Sequence, residues 1–144
     1  MLYTGHVRAI VPDVTKDNLA IVPAANKPIA IMDISYGGEA TVSTAMVTRF
    51  ARTASDGTVP VTGDVQKKYP NAPAAGANFV KTWTAQPTLN AGNLIPITDW
   101  NSDGGVVRWY AGPGDEIYGI NEQISCRNAV GTATSSYGLS WKEF

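Results

Sequence analysis

The sequence predicts an all-β fold, an antiparallel β-sandwich of about nine strands that forms one domain over residues 1–144. Three observations predict it. Hydrophobic residues make up 44% of the chain and charged residues only 16%, so a core can form while Thr, Ser, Asn and Gly supply much of the polar surface. Apolar and polar residues alternate with period two in many segments. No window of twelve residues carries a helical apolar face free of Gly, Pro or β-branched runs.

Turn residues divide the chain into the predicted strands. Consecutive glycines at Gly37 and Gly38 are read as a break after the third strand, because glycine adopts positive φ at little cost. The sequence GPGD at 112–115 is read as a tight hairpin turn. Ten segments show the pattern from which about nine strands are expected: 5–10, 19–22, 28–35, 39–52, 78–86, 94–100, 105–111, 116–120, 123–128 and 132–141.

Residues 56–77 are the least regular part of the sequence. Gly and Pro punctuate them at Gly57, Gly63, Pro70 and Pro73, which favours a long irregular loop with at most a short strand at 58–61. Loops of this length within a compact domain are usually functional or mobile.

The sequence predicts a protein that is not an enzyme and uses no cofactor. His6 is the one histidine and Cys126 the one cysteine, so neither a histidine-rich nor a thiolate zinc site can form. Cys126 lies in a predicted strand, where a cysteine usually acts as a small buried hydrophobe. Asp115 and Glu116 are adjacent and would point to opposite faces of a strand, so they do not form the facing pair that glycosidases need.

The sequence DWNSDG at 99–104 resembles the first half of a calcium-binding loop. Its candidate ligands are Asp99, Asn101 and Asp103, whose oxygens alternate along the chain as a hard cation requires. The second half of such a loop is missing, because the position of the last ligand falls on Tyr110. An Asx-type turn between two strands is the favoured interpretation of this segment.

The charge distribution and the length of the apolar stretches predict binding to neither nucleic acid nor membranes. The net charge is −1 and no basic cluster exceeds the pair Lys67-Lys68, so we expect no direct nucleic-acid binding. No apolar stretch approaches the length of a membrane span. The N-terminal residues lack the pattern of a signal peptide. The lack of a disulfide framework favours an intracellular origin.

Trp83 and Trp109 lie in alternating patterns and are expected in the core.

A family resemblance adds a function to this description. The run GGVVRWYAGPGDEI at 104–117 resembles a segment of small virion proteins of tailed bacteriophages, and GGEA at 37–40, PNAPAA at 70–75 and GTATSS at 131–136 are similar too. The resemblance implies a jelly-roll-like structural protein of the phage particle, made in the bacterial cytoplasm, that decorates or cements the capsid. It also implies a homotrimer whose partner is the major capsid protein or another virion protein. We expect the 56–77 loop or the termini to contact the shell.

Two other functions remain open. A carbohydrate- or receptor-binding jelly-roll module of a phage tail or host-attachment structure would show several exposed aromatic residues in one groove. An enzyme of cupin-like architecture would need a histidine cluster around a metal, which His6 alone cannot supply.

Overall fold

The chain is described by a computed structural model that covers residues 1–92, 94 and 98–144, with Thr98 described for its backbone alone. Part of the strand predicted at 94–100 therefore falls outside the described residues. The described chain contains thirteen strands and no helix. The strands are β1 (Leu2–Ile10), β2 (Asp17–Val22), β3 (Ile29–Gly38), β4 (Ala45–Ser55), β5 (Val61–Thr62), β6 (Val65–Lys67), β7 (Asn78–Lys81), β8 (Thr88–Leu89), β9 (Thr98–Asn101), β10 (Val106–Tyr110), β11 (Ile117–Gly119), β12 (Ile124–Val130) and β13 (Ser135–Glu143).

The strands form two antiparallel sheets that pack face to face. Sheet A has the order β10-β3-β13-β1-β6, and β11 also pairs with β3. Sheet B has the order β5-β7-β2-β12-β4-β8, and β9 also pairs with β4. The predicted all-β antiparallel sandwich is confirmed, although short edge strands raise the number of strands above the expected nine.

The strand order is that of a jelly roll. The first strand pairs with the last, β1 with β13, and the second with the last but one, β2 with β12. The third strand, β3, then pairs with the other side of β13, and the fourth strand, β4, pairs with the other side of β12. The order β1-β13-β3-β10 faces β2-β12-β4-β9, which is the interleaving of two Greek keys.

Aromatic rings join the two sheets at both ends of the core. The rings of Phe79 in sheet B and Trp141 in sheet A stack with centroids 6.4 Å apart, and Tyr3 stacks on Trp141 at 5.9 Å. At the other end, Tyr36 of sheet A contacts Phe50 of sheet B with ring centroids 6.3 Å apart. Offset and edge-on rings of this kind pack closely, so they fix the spacing of the sheets.

A buried polar network lies beside the second aromatic group. The Oδ1 atom of Asn128 on β12 accepts hydrogen bonds from Asn18 Nδ2 at 3.0 Å, Thr48 Oγ1 at 3.0 Å and the Tyr137 hydroxyl at 2.9 Å. Thr48 Oγ1 in turn accepts from Trp100 Nε1 at 3.1 Å. Burial raises the pKa of Tyr137 to about 12, so its hydroxyl stays protonated and donates.

The prediction of a break at Gly37 and Gly38 is wrong. Both glycines lie within β3, and Gly37 pairs with Val106 of β10. The predicted strand at 39–52 correspondingly begins later, at Ala45. Gly38 is needed for a close approach of two backbone segments, because a Cβ there would overlap the carbonyl of Ser102.

Two further predictions are corrected. The strand predicted at 78–86 ends at Lys81, because Thr82 takes a positive φ of 56° and directs the chain out of sheet B. The turn at 112–115 does not form a hairpin, since β10 and β11 both pair with β3 rather than with each other. Asp115 N donates to Gly112 O at 3.0 Å, so the segment is a tight turn that interrupts one edge of sheet A.

The 56–77 segment crosses from one sheet to the other. The segment was expected to be an irregular loop with at most a short strand at 58–61; Thr58 makes an isolated bridge to Ala85, and the short strand β5 follows on the edge of sheet B. The next strand, β6, pairs with β1 on the edge of sheet A. The carboxylate of Glu143 accepts hydrogen bonds from the amides of Gly76 and Ala77, at 2.9 and 3.0 Å, and so ties the end of the segment to β13.

Adjacent glycines give a matched test of the packing at the end of β3. We expect Gly38→Ala to destabilise the fold by about 1–3 kcal/mol or more, because the added methyl group meets a backbone rather than a flexible side chain. At Gly37 the nearest atom to an added Cβ is Val106 Cγ2, at 3.8 Å, so Gly37→Ala should be tolerated. Urea unfolding of both variants measures the difference, and equal stabilities would contradict the close approach at Gly38.

Candidate functional site

The outer face of sheet B is covered by the chain itself. Trp83, which follows the turn at Thr82, is buried against Ala20 and Val80, whose side chains point away from the core between the sheets. Trp83 was expected in the core and is buried, but it packs in this separate outer layer. The chain itself thus covers the part of the outer face of sheet B that contains Ala20 and Val80.

Polar contacts hold this cover in place. Asp17 N donates to the side chain of Gln86 at 2.9 Å, and Arg127 Nη2 donates to Pro87 O at 2.9 Å. Arg127 Nε also donates to the buried carboxylate of Asp17 at 2.5 Å. Burial raises the pKa of that carboxyl in spite of the adjacent guanidinium. The cover is thus attached to both β2 and β12.

The outer face of sheet A is open and contains a shallow trough. Its floor is Gly138 on the central strand β13, with Ser35 of β3 opposite it on one side and His6 of β1 on the other. The walls carry Val106 and Arg8, and the trough has a volume of about 180 Å³. We call this feature the glycine trough.

Two polar atoms converge over the floor of the glycine trough. A Cβ at Gly138 would lie 2.6 Å from His6 Nδ1 and 2.8 Å from Ser35 Oγ. The other ring nitrogen of the exposed His6 lies 3.3 Å from Thr4 Oγ1. Gly138 is itself buried beneath these two side chains, and the lack of a Cβ is what lets them lie so close to the backbone of β13.

Both arginines beside the trough are paired with acids. Arg108 Nε contacts the two carboxylate oxygens of Asp33 at 2.9 and 3.0 Å, and its guanidinium lies 4.6 Å from the ring centroid of the exposed Tyr110. Arg8 lies 3.8 Å from Glu39, a weaker and exposed pair. The charges along the trough are therefore balanced. Trp109 points the other way and is half-buried against the core, where it was expected.

A second feature of the same face is an exposed apolar patch. The rings of Tyr118 and Phe144 stack with centroids 6.1 Å apart, and Lys142 Nζ lies 4.9 Å from the Phe144 ring centroid. Two grooves adjoin these rings, one of about 400 Å³ that contains Met1 and Tyr69, and one of about 270 Å³ that contains Ile120. We call this set the terminal patch: Met1, Tyr69, Tyr118, Ile120, Lys142 and Phe144.

The calcium candidate has the geometry of a turn. Asn101 Oδ1 accepts a hydrogen bond from Asp103 N at 3.2 Å, and Asn101 Nδ2 donates to Ser43 Oγ at 2.5 Å. Asp99, Asn101 and Asp103 are all exposed. The side chain of Asn101 is thus already used within the protein, as an Asx turn requires.

The remaining candidate residues are dispersed. Among the described residues, no three His, Cys, Asp or Glu side chains lie close enough together to hold a metal ion. Asp115 ends the turn at 112–115, and the carboxylate of Glu116, the next residue, accepts a hydrogen bond from Gly114 N at 2.9 Å. Cys126 is fully buried, as predicted, and burial raises its pKa well above the ordinary value.

Comparisons with known proteins leave the family open. No protein-family model, curated protein or solved structure matches the chain. None of the described segments forms a helix with the length and apolarity that crossing a bilayer requires. The glycine trough and the terminal patch of sheet A are the surface features that bear on function.

Sequence reasoning did not predict the glycine trough. The alternating pattern predicts the strand that contains Gly138, but it does not predict the shape of the surface above the outward residues of that strand. Ser136, Gly138 and Ser140 alternate there as small residues, which is the signal that could have indicated an open surface. Their neighbours His6 and Ser35 come from distant parts of the chain, so their approach depends on strand order.

Cys126 should react with a thiol reagent only when the protein opens. Because its thiol is buried and its pKa is raised, we expect labelling by a chromogenic disulfide at pH 8 to be at least about a hundredfold slower in the native than in the denatured state. The variant Val130→Cys places a thiol at a position that is 51% exposed and should react at once. Rapid labelling of native Cys126 would contradict its burial.

Calcium should not stabilise the Asp99–Asp103 turn. Since Asn101 already bonds to Asp103 and Ser43, we expect no heat in calorimetry with millimolar calcium and no rise in Tm. We expect Asn101→Ala to lose about 0.5–1.5 kcal/mol through the missing hydrogen bonds. A saturable heat that disappears in Asn101→Ala would restore the calcium hypothesis.

Proposed function

We propose that this chain is a non-enzymatic structural protein of a bacteriophage particle that binds the capsid surface as a decoration or cement protein. The resemblance of the segments at 104–117, 37–40, 70–75 and 131–136 to small phage virion proteins supports this function. The jelly-roll fold is compatible with it, since viral capsid proteins are among those that use the fold. Fold alone does not establish it.

The observation that supports this proposal best is the terminal patch. Tyr118 is 52% exposed and Phe144 59% exposed, and both rings lie on the same open face as the grooves beside Met1 and Tyr69. Clustered exposed apolar groups on a small domain mark a surface that another protein covers. Tyr69 belongs to the 56–77 segment, so the patch combines that segment with the chain ends, the two regions expected to touch the capsid.

We further propose that the protein assembles as a homotrimer on the particle. Closed symmetry repeats one contact without leaving an unpaired surface, so it can cover apolar groups that a monomer would expose. Several copies of one weak contact on a repetitive shell would then add up to stable attachment. The partner on the shell is the major capsid protein or another virion protein.

Light scattering tests the assembly directly. We expect a mass three times that of the chain at micromolar concentration. The outward substitution Tyr118→Ser should shift the distribution towards smaller species if the terminal patch takes part. A monomer at micromolar concentration would count against the trimer and would leave attachment to depend on the single chain.

Binding to phage heads tests the particle function. We expect the purified protein to co-sediment with heads that lack it, and Tyr118→Ser combined with Phe144→Ser to weaken this binding about tenfold or more, as loss of buried aromatic anchors does. Val130→Ser is a matched control, because Val130 is 51% exposed on β12 of sheet B. Equal binding of the double variant and the control would remove the terminal patch from the contact.

A second candidate function is a carbohydrate- or receptor-binding module. The observation that favours it is the exposure of Tyr110, 61%, on the outer face of sheet A beside Arg108. This function predicts exposed aromatic residues in a groove with polar groups at fixed positions. It is compatible with the particle function, because the trough and the terminal patch are separate parts of sheet A.

A further inference from the structure

We propose that copies of the chain associate head to tail through opposite edges of sheet A, with β6 of one copy beside β11 of the next. The inference rests on the homotrimer of the proposed function and assigns the two surfaces that form its repeated contact. A contact between two different surfaces repeats from copy to copy and generates a ring when the rotation closes. We call β6 with the following Lys68 and Tyr69 the basic edge, and β11 with the flanking Asp115, Glu116 and Ile120 the acidic edge.

The first argument is the charge of the two edges. The basic edge carries the exposed Lys67 and Lys68, and the acidic edge carries the exposed Asp115 and the half-buried Glu116. The four ion pairs among the described residues all use arginines, and none of them includes Asp115 or Glu116. Both lysines and both acids are thus without an oppositely charged partner in the described part of the chain, and a second copy can supply one.

Neighbouring charges do not reverse this contrast. Asp64 precedes β6, so two lysines and one aspartate leave the basic edge positive. At the acidic edge, Arg52 Nη2 donates to Tyr118 O at 2.8 Å, but the same guanidinium is paired with Glu122 at 3.1 Å. The charge of Arg52 is therefore balanced, and the acidic edge stays negative. Opposite charges favour contact between unlike edges and disfavour contact between like edges.

The second argument is that the opposite charges lie at the ends of the same rows of paired residues. One row crosses sheet A through Lys67, Tyr3, Trp141, Ile31 and Ile117, and the next through Leu2, Lys142, Ala30 and Tyr118. Lys68 N donates to Leu2 O at 3.0 Å, so Lys68 begins the second row. Glu116 directly precedes Ile117. A second copy displaced along these rows would therefore bring its acidic edge to the two lysines.

The third argument is the exposed apolar groups at the same two edges. Tyr69, next to Lys68, is 58% exposed, and the acidic edge contains Tyr118 and Ile120, which are 52% and 49% exposed. Tyr69 and Tyr118 are the outer members of the terminal patch on either side of sheet A. A head-to-tail contact would cover both, so burial of aromatic groups would supply affinity while the charges select the partner edge.

Cross-linking of the unchanged protein tests the contact directly. A carbodiimide joins a lysine amine to a carboxylate only where the two groups touch. The two edges are four strand spacings apart in one chain, about 19 Å, so such a link has to join two copies. We mix ¹⁴N- and ¹⁵N-labelled protein before assembly and expect peptides of mixed label that join Lys67 or Lys68 to Asp115 or Glu116. A trimer without these links would overturn the inference.

Charge reversal tests it by a second route. We expect the pair Lys67→Glu with Lys68→Glu, and the pair Asp115→Lys with Glu116→Lys, each to raise the concentration of half-dissociation at least about tenfold, because each places like charges opposite one another. A chain with all four substitutions restores the attraction with its signs exchanged and should assemble within about threefold of the unchanged protein. Sedimentation velocity measures all three variants. Failure of the four-substitution chain to assemble, although folded, would contradict the contact.

A control variant and a fold check accompany the reversals. Lys16→Glu changes the net charge in the same direction at the turn between β1 and β2, at the far end of β1 from the basic edge, and should leave assembly unchanged. Glu116→Lys also removes the hydrogen bond from Gly114 N. If that substitution prevents folding, the lysine pair and the cross-linking carry the test.

The outcomes separate this inference from the proposed function. A trimer that shows no cross-link between the two edges and tolerates both reversals would make this contact wrong and leave the homotrimer standing. A monomer at micromolar concentration would contradict the homotrimer and this contact together. In either case co-sedimentation with phage heads still decides the particle function, because it measures attachment and not the mass of the free protein.

Discussion

The hydrogen bonds to Asn128 fix how the two sheets face each other. Its side-chain oxygen accepts donors from two strands of sheet B, through Asn18 and Thr48, and from sheet A through Tyr137. All four residues are buried, and an unpaired polar group there would cost about 1–3 kcal/mol. A slip of β13 by one residue would turn Tyr137 outward and leave the oxygen without its partner from sheet A. The network therefore specifies one register of the sandwich.

That register gives the two outer faces different roles. A bulge in β2 lets Leu19 and Asn18 both face inward, since the register passes from Leu19 opposite Cys126 to Asp17 opposite Arg127. Asp17 is thereby placed on the outer face of sheet B, where Arg127 joins it to the covering segment. The chain itself covers part of the outer face of sheet B, whereas the centre of sheet A keeps its outer face uncovered.

The open face combines two kinds of surface that suit different partners. The terminal patch is apolar and carries stacked rings at the chain ends, which is the composition of a surface that another protein covers. The glycine trough is shallow and charge-balanced, and its floor lies at Gly138, from which no side chain projects.

The sequence by itself determined the all-β sandwich, most of the strands and the burial of Cys126, because period-two alternation and turn residues are local signals. It did not determine the role of its glycines: Gly38 looked like a turn, yet it lies in a strand where another backbone segment approaches closely. It also could not place Trp83 in an outer layer. The tertiary structure alone decided the candidate site, since His6, Ser35 and Gly138 meet only because the jelly roll pairs its first and third strands with its last. Pairing between strands far apart in the chain leaves no local pattern, so only the folded structure shows it.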